Sequence, residues 1–264
     1  MFGMYVVPVA LLVVAGIIVT AILVIASKYM AVPVDEKQEL IREALPGANC
    51  GACGLAGCDE YAAAVARGEA APNLCIPGGA ASGEKIAEIM GLSFENVEVK
   101  KAFVKCNGTC DKVEKKLDYD GIETCEACNM LFSGNSSCDY GCLGFGDCVK
   151  ACAFDAIEIV NGVAVIDREK CTGCEACTIA CPKHIIEMLP DKNKVRVACS
   201  SKASPKVSMQ SCQVSCIACK KCEKACPFDS VHVNDFLAKV NAETCKNCGK
   251  CMKECPRGCI IKVS

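Results

Sequence analysis

The C-terminal half of this chain carries a cysteine pattern that is copied at two nested periods. A shift of 74 residues brings Cys125, Cys138, Cys142, Cys148, Cys152, Cys171, Cys174, Cys177 and Cys181 onto Cys199, Cys212, Cys216, Cys222, Cys226, Cys245, Cys248, Cys251 and Cys255 without a gap. The same shift brings ACAFDAI (151–157) onto ACPFDSV (225–231). Within each copy, a shift of 29 residues brings the first cysteine run onto the second. A fixed period of this kind means tandem copies of one supersecondary unit. Only Phe145, opposite Cys219, breaks the match within the runs.

Cysteine makes up 27 of 264 residues, which points to a disulfide scaffold or a metal-loaded protein. Disulfide scaffolds are typically under roughly 80 residues. The odd count and the dense C-x2-C clustering also argue against paired bridges. Thiolates kept as metal ligands need a reducing compartment, so the cysteine-bearing part is expected in the cytoplasm. The net charge of −2, with no basic run interleaved with aromatics, does not point to nucleic acid. No acid–base pair, dinucleotide glycine fingerprint or flavin motif is apparent, so no stand-alone catalytic site is expected.

The run C-x2-C-x2-C-x3-C followed by Pro is the bacterial ferredoxin pattern, in which the fourth cysteine ligates the other cluster. That exchange gives one 4Fe–4S cube to Cys216, Cys219, Cys222 and Cys255, and its twin to Cys245, Cys248, Cys251 and Cys226. In the upstream copy, Cys171, Cys174, Cys177 and Cys152 hold one cube. The other has Cys142, Cys148 and Cys181 and lacks the ligand that Phe145 removes. Cys138 is expected to replace it, reaching back across a Gly-containing loop; the alternative is a lost cluster. Zinc fits these runs poorly, because its two C-x2-C pairs are usually separated by about 12–20 residues.

Upstream lies a second pattern, Cys50, Cys53, Cys58 and Cys75, with Gly51, Gly54 and Gly57 between. Glycines let backbone N–H groups approach sulfur closely, which tunes a cluster. A fifth cube and a structural zinc both suit these four thiolates. Cys106, Cys110, Cys125 and Cys128 could make a sixth metal site of either kind. Otherwise these four, with Cys199, Cys212 and Cys259, read as buried structural thiols, Cys199 being the repeat partner of Cys125.

The first 27 residues contain no charged side chain. About 20 apolar residues cover a bilayer's hydrocarbon core of roughly 30 Å, and a signal peptide would need a basic n-region and a shorter apolar core. A retained transmembrane anchor is expected. Lys28, Lys37 and Arg42 follow it and none precedes it, which places the bulk of the chain on the cytoplasmic side. The expected division is an anchor at 1–28, a four-Cys domain at 29–94, a connecting segment at 95–137 and ferredoxin modules at 138–198 and 199–264. DEKQELIREALP and GEKIAEIMGL read as helices, the alternation from about 95 as strands, and AIEIVNGVAVIDREK as a strand pair turning at Asn161-Gly162. The fold class expected is α+β: a single N-terminal transmembrane helix, a small four-Cys iron–sulfur domain and two tandem two-cluster ferredoxin-like modules.

The order of the anchor, NCGACGLAGCDEYA with CIPGG, YDGIETC with CDYGCLGFGDCVKACAFDAI, and the two ferredoxin runs resembles the B subunit of Rnf-type electron transport complexes over nearly the whole chain. A similar four-Cys domain occurs in corrinoid iron–sulfur proteins, which lack the anchor and the doubled ferredoxin. The resemblance implies a cube on Cys50, Cys53, Cys58 and Cys75, and five 4Fe–4S clusters in all. It implies an electron-transfer subunit of a ferredoxin:NAD oxidoreductase that couples transfer to ion translocation. Its partners would be the other subunits, the inner membrane and soluble ferredoxin, with no nucleic acid. The alternatives are a polyferredoxin subunit of a membrane hydrogenase or quinone-linked enzyme, and an anchored zinc-binding protein. Residues 216–264 hold nine Lys/Arg against five acids, while 125–199 hold seven against ten. Lys220, Lys221, Lys224, Lys246, Lys250, Lys253 and Arg257 are therefore expected to dock an acidic ferredoxin.

Overall fold

The structure, a computed structural model, describes residues 2–29, 36–94 and 100–263. Its first element is helix α1 (Phe2–Tyr29). The expected single transmembrane helix is corrected at this point: among the described residues, no helix is long and apolar enough to cross a membrane.

Three helices build the next unit: α2 (Glu36–Ala44), α3 (Cys58–Ala66) and α4 (Gly79–Met90). Glu36 and Glu39 in the first turn of α2 and Arg42 in its last complement the helix dipole. Gly91 ends α4 in the left-handed region at φ 67°, and the Leu92 N–H returns to the Ala87 carbonyl at 2.8 Å. Both helices expected from sequence are there, the first ending two residues before Pro46 and the second at Gly91. Ile41, Tyr61, Val65 and Ile86 fill the core between the three.

Two similar modules follow. The first opens with β1 (Lys100–Val104), followed by α5 (Cys125–Met130), α6 (Asp147–Lys150), β2 (Ile157–Val160), β3 (Val163–Ile166), α7 (Ala176–Ala180) and β4 (Ile186–Pro190). Residues 95–99 of the expected strand stretch lie outside the described residues. The second contains β5 (Val195–Val197), α8 (Pro205–Ser211), α9 (Lys221–Ala225), β6 (Val231–Asn234), β7 (Leu237–Val240), α10 (Lys250–Lys253) and β8 (Ile260–Lys262). The expected turn at Asn161-Gly162 joins β2 to β3 with φ of 46° and 79°, the left-handed pair that a tight hairpin requires. Each module has its own core, one around Val104, Ile157 and Ile186, the other around Val195, Val231 and Ile260.

In each module the first strand pairs antiparallel with the last, β1 with β4 and β5 with β8. Each module therefore begins before its first cysteine run. β1 lies in the segment expected to be a connector, and β5 lies in the stretch expected to finish the first module.

This pairing also resets the repeat. Val104 faces Ile186 and Val197 faces Ile260. Ile186 and Ile260 are 74 positions apart, whereas Val104 and Val197 are 93 apart. The first module thus carries 19 extra residues between its first strand and its first run. The structural counterpart of Cys199 is accordingly Cys106, and not Cys125.

Candidate metal centres

In the second module, Cys216, Cys219, Cys222 and Cys255 line one cavity together. Ala218 and Lys220 take left-handed φ of 52° and 59°, which curls the loop so that its cysteines face one point before α9 begins. Cys255 arrives from the far end of the module, as ligand exchange requires. Behind it, the Cys259 sulfur lies 3.5 Å from that of Cys255. Hydrogen bonding from the Cys259 thiol holds Cys216 down at about 6 and Cys255 at about 5. Burial raises Cys222 to about 11. Cys259 was not expected near a site; the available signal was that its repeat counterpart is the apolar Ile185. The twin group forms where Cys226 and Cys245 bear on the buried Cys251.

The first module repeats the exchange. Cys152, Cys171, Cys174 and Cys177 line one cavity, and burial pushes Cys177 to about 12. The remaining cavity is lined by Cys142, Cys148, Cys181 and Cys125. Cys138 does not line it. Phe145 instead packs edge-on against Tyr119, with ring centroids 5.6 Å apart.

Cys125 is fixed there by its helix end. The Thr124 side chain accepts the Ala127 N–H at 3.2 Å and caps α5. The Glu126 N–H donates to Asp147 at 3.0 Å, tying α5 to the start of α6, next to Cys148. Burial raises Cys148 to about 12, with Cys142, Cys125 and Cys181 adding to the shift. The expected replacement of the Phe145 ligand by Cys138 is thus not what the geometry brings together. The 19 extra residues loop Cys125 back over the run, while Cys138 faces Cys106 and Cys212.

At the N-terminal pattern, burial pushes the Cys75 thiol up, and Cys58, Cys50 and Cys53 act on it in the same direction. Tyr61 holds the Cys75 loop, donating from its hydroxyl to the Ala71 carbonyl at 2.8 Å and accepting from the Leu74 N–H at 3.3 Å. Asn49 accepts the Cys58 N–H at 2.8 Å and so caps α3. A Cβ at Gly78 would sit 2.6 Å from the Ser82 side chain and 3.1 Å from the Cys75 sulfur, which explains the glycine after CIP. This loop abuts the first module, because a Cβ at Gly173 would lie 3.4 Å from Ile76.

The expected sixth set does not assemble. Cys125 is in the cavity just described, and Cys128 is fully buried. Cys110 is exposed beside the β2–β3 turn, where its N–H donates to Asn161 at 3.0 Å.

Among the described residues, no group of three or more His, Cys, Asp or Glu side chains is placed to hold a single metal ion. The thiols instead stand around cavities, four to each in two cases and five in the third, where Cys259 joins the four of the run exchange. A 4Fe–4S cube needs four soft ligands spread over its corners, and all-thiol donors of this kind suit it.

Family models match three stretches of the chain. A model described as "Putative Fe-S cluster" matches residues 45–77, a "4Fe-4S dicluster domain" matches 170–230 and a "4Fe-4S binding domain" matches 238–261. The chain is 42% identical over 261 residues to the B subunit of the Na(+)-translocating ferredoxin:NAD(+) oxidoreductase complex of Acetobacterium woodii, covering 98% of this chain and 78% of that protein. It is 37% identical to the B subunit of the ion-translocating oxidoreductase complex of Methanosarcina acetivorans, covering 93% of each. It is 40% identical to the B subunit of the proton-translocating ferredoxin:NAD(+) oxidoreductase complex of Clostridium ljungdahlii, covering 93% of this chain and 88% of that protein. With the cysteine architecture and these whole-length matches in agreement, the chain belongs to the family of B subunits of ion-translocating ferredoxin:NAD(+) oxidoreductase complexes.

Proposed function

We propose that this chain is the iron–sulfur relay of a membrane-associated, ion-translocating complex, passing single electrons from reduced ferredoxin toward NAD. The observation that carries this reading is the exchanged cysteine sets, each with one ligand from the opposite run. They place paired sites within a single small module. When bound, 4Fe–4S clusters supply one-electron redox chemistry, and the protein positions them and tunes their potentials.

The sites are held by Cys50, Cys53, Cys58 and Cys75; by Cys171, Cys174, Cys177 and Cys152; by Cys142, Cys148, Cys181 and Cys125; by Cys216, Cys219, Cys222 and Cys255; and by Cys245, Cys248, Cys251 and Cys226. Their order supports a wire. The N-terminal loop abuts the Cys171–Cys174 loop through Ile76 and Gly173, so this site joins the first module at its second run. The cysteine-rich body faces the cytoplasm, where thiolates stay reduced.

Chemical analysis of the anaerobically reconstituted chain tests this directly. At least about 20 iron atoms, with labile sulfide in equal amount, are expected for five cubes. Bound zinc without sulfide overturns the reading.

Ferredoxin is proposed to dock on the second module. Lys220, Lys221, Lys224, Lys246, Lys250 and Lys253 are exposed around its two sites. Arg257 is not part of this face, because it donates to the Cys212 carbonyl at 2.7 Å. Steered association falls steeply with ionic strength. The second-order rate of reduction by ferredoxin should fall about tenfold between low and high salt, and charge reversal at Lys221 and Lys250 should slow it further at low salt. A rate indifferent to both changes excludes this docking face.

A further inference from the structure

We infer that Cys106, Cys138, Cys199 and Cys212 form a sixth four-thiolate site, suited to a 4Fe–4S cube, in the seam between the two ferredoxin modules. The inference rests on the relay reading and deepens it.

The four sulfurs obey the corrected module repeat. Cys106 follows β1 as Cys199 follows β5, at equivalent points of the paired outer strands. Cys106 accepts the backbone N–H of Cys142 at 3.4 Å, and Cys199 accepts that of Cys216 at 3.3 Å. Both donors are the first cysteine of their own module's run. Cys138 and Cys212 form the second equivalent pair, each four residues before that same cysteine. Beside each of the four sulfurs the backbone N–H two residues further on, of Gly108, Tyr140, Ser201 and Val214, acts in the direction that favours the thiolate. Backbone N–H groups aimed at sulfur are what a cluster ligand requires, because they offset the negative charge of a thiolate.

The two pairs meet across the seam. A Cβ on Gly108 would lie 3.4 Å from the Cys212 sulfur and 3.7 Å from that of Cys106, so a sulfur from each module reaches the same point. Cys138 bears electrostatically on Cys106 and Cys199, and Cys212 bears on Cys138. The modules are stitched together around this point. Ser200 donates to the Tyr140 carbonyl at 2.7 Å, and the Gln213 N–H donates to Lys112 at 3.0 Å. The charges of Arg257 and Lys112 act on Cys212 and would compensate a cluster's negative charge. Cys199 and Cys212 are buried and the other two half-buried.

The position has a consequence for the relay. Cys106 is bonded to the backbone of a ligand in one module's first-run site, and Cys199 to its counterpart in the other. A redox centre here joins the two modules into one path. One electron enters from one module and one leaves to the other, with no bond made or broken.

Iron and sulfide counts on the full reconstituted chain test the inference, together with EPR of the dithionite-reduced protein. The intact chain should carry about 24 iron atoms. Cys138→Ala and Cys199→Ala should each carry about 20, with one reduced-cluster signal lost, while Cys110→Ala stays at the parent value. Should a variant misfold, alkylation of the intact holoprotein decides: Cys106, Cys138, Cys199 and Cys212 should resist maleimide until the clusters are stripped. About 20 iron atoms with these thiols freely alkylated overturns the sixth site and leaves the relay standing. A single zinc ion lost from both variants overturns the cube here. Zinc throughout, without sulfide, overturns the relay itself.

Discussion

Cys125→Ala is expected to remove one complete cube, about four iron and four sulfide per chain, and to interrupt electron flow through the first module. Cys125 lines the cavity that Cys142, Cys148 and Cys181 also line, and no other thiol lining that cavity takes the place that Cys219 holds in the second module. Three thiolates leave one iron corner to solvent, where a cluster is readily lost. The same reasoning gives a rescue. Phe145 stands at the repeat position of Cys219, so Cys125→Ala combined with Phe145→Cys should regain the four iron atoms through the regular ligand. Cys138→Ala should leave this cube intact, since its sulfur belongs to the seam. Iron counts and the EPR of the reduced variants separate these outcomes. Full iron in Cys125→Ala, or failure of the double variant to recover in a chain that otherwise folds, contradicts the assignment.

The sequence announced most of this site, and the part it hid has a simple cause. The exchanged sets at Cys216–Cys226 and Cys245–Cys255 follow from spacing alone, because three cysteines in a short loop cannot all turn the same way as a fourth that stands four residues on. The β2–β3 hairpin was equally legible, since Asn161-Gly162 suits few other turns. Cys125 was not. A gapless shift of 74 residues makes it the partner of Cys199, and only strand pairing shows that 19 residues were inserted after β1. Periodicity in sequence reports copies, whereas ligand identity depends on where an insertion folds back. The alternation from about residue 95 announced β1 as a strand, but its partner, like that of β5, escapes a local reading for a related reason. Each pairs with a strand over sixty residues away, and such partners leave no local trace. The N-terminal segment shows the reverse limit. Its composition suggests a spanning helix, yet among the described residues no helix is long and apolar enough to cross a membrane.

Stripping the clusters under reducing conditions is expected to unfold both ferredoxin modules while the α2–α3–α4 unit keeps part of its protection. The cores explain the contrast. Five of the twelve buried residues in the second module's core are cysteines, and its strands are three or four residues long in two-stranded pairs. Isolated two-stranded sheets are marginal in water. Structural metal sites contribute on the order of 10 kcal/mol to folding, which is comparable to the whole net stability of a domain, about 5–15 kcal/mol. Without metal, moreover, burial holds Cys106, Cys148 and Cys177 protonated, at about 12. The first module's apo core is then lined by these neutral thiols around space that nothing else fills. The N-terminal unit instead packs Ile41, Tyr61 and Ile86, each no more than 1% exposed, between three helices. Hydrogen exchange should therefore show the amides of β2–β3 and β6–β7 losing protection by several orders of magnitude on stripping and regaining it on reconstitution. Those around Ala62 and Val65 should change far less. Protection in the stripped modules equal to that of the loaded protein would mean that the apolar residues suffice, and that the clusters occupy a scaffold already folded without them.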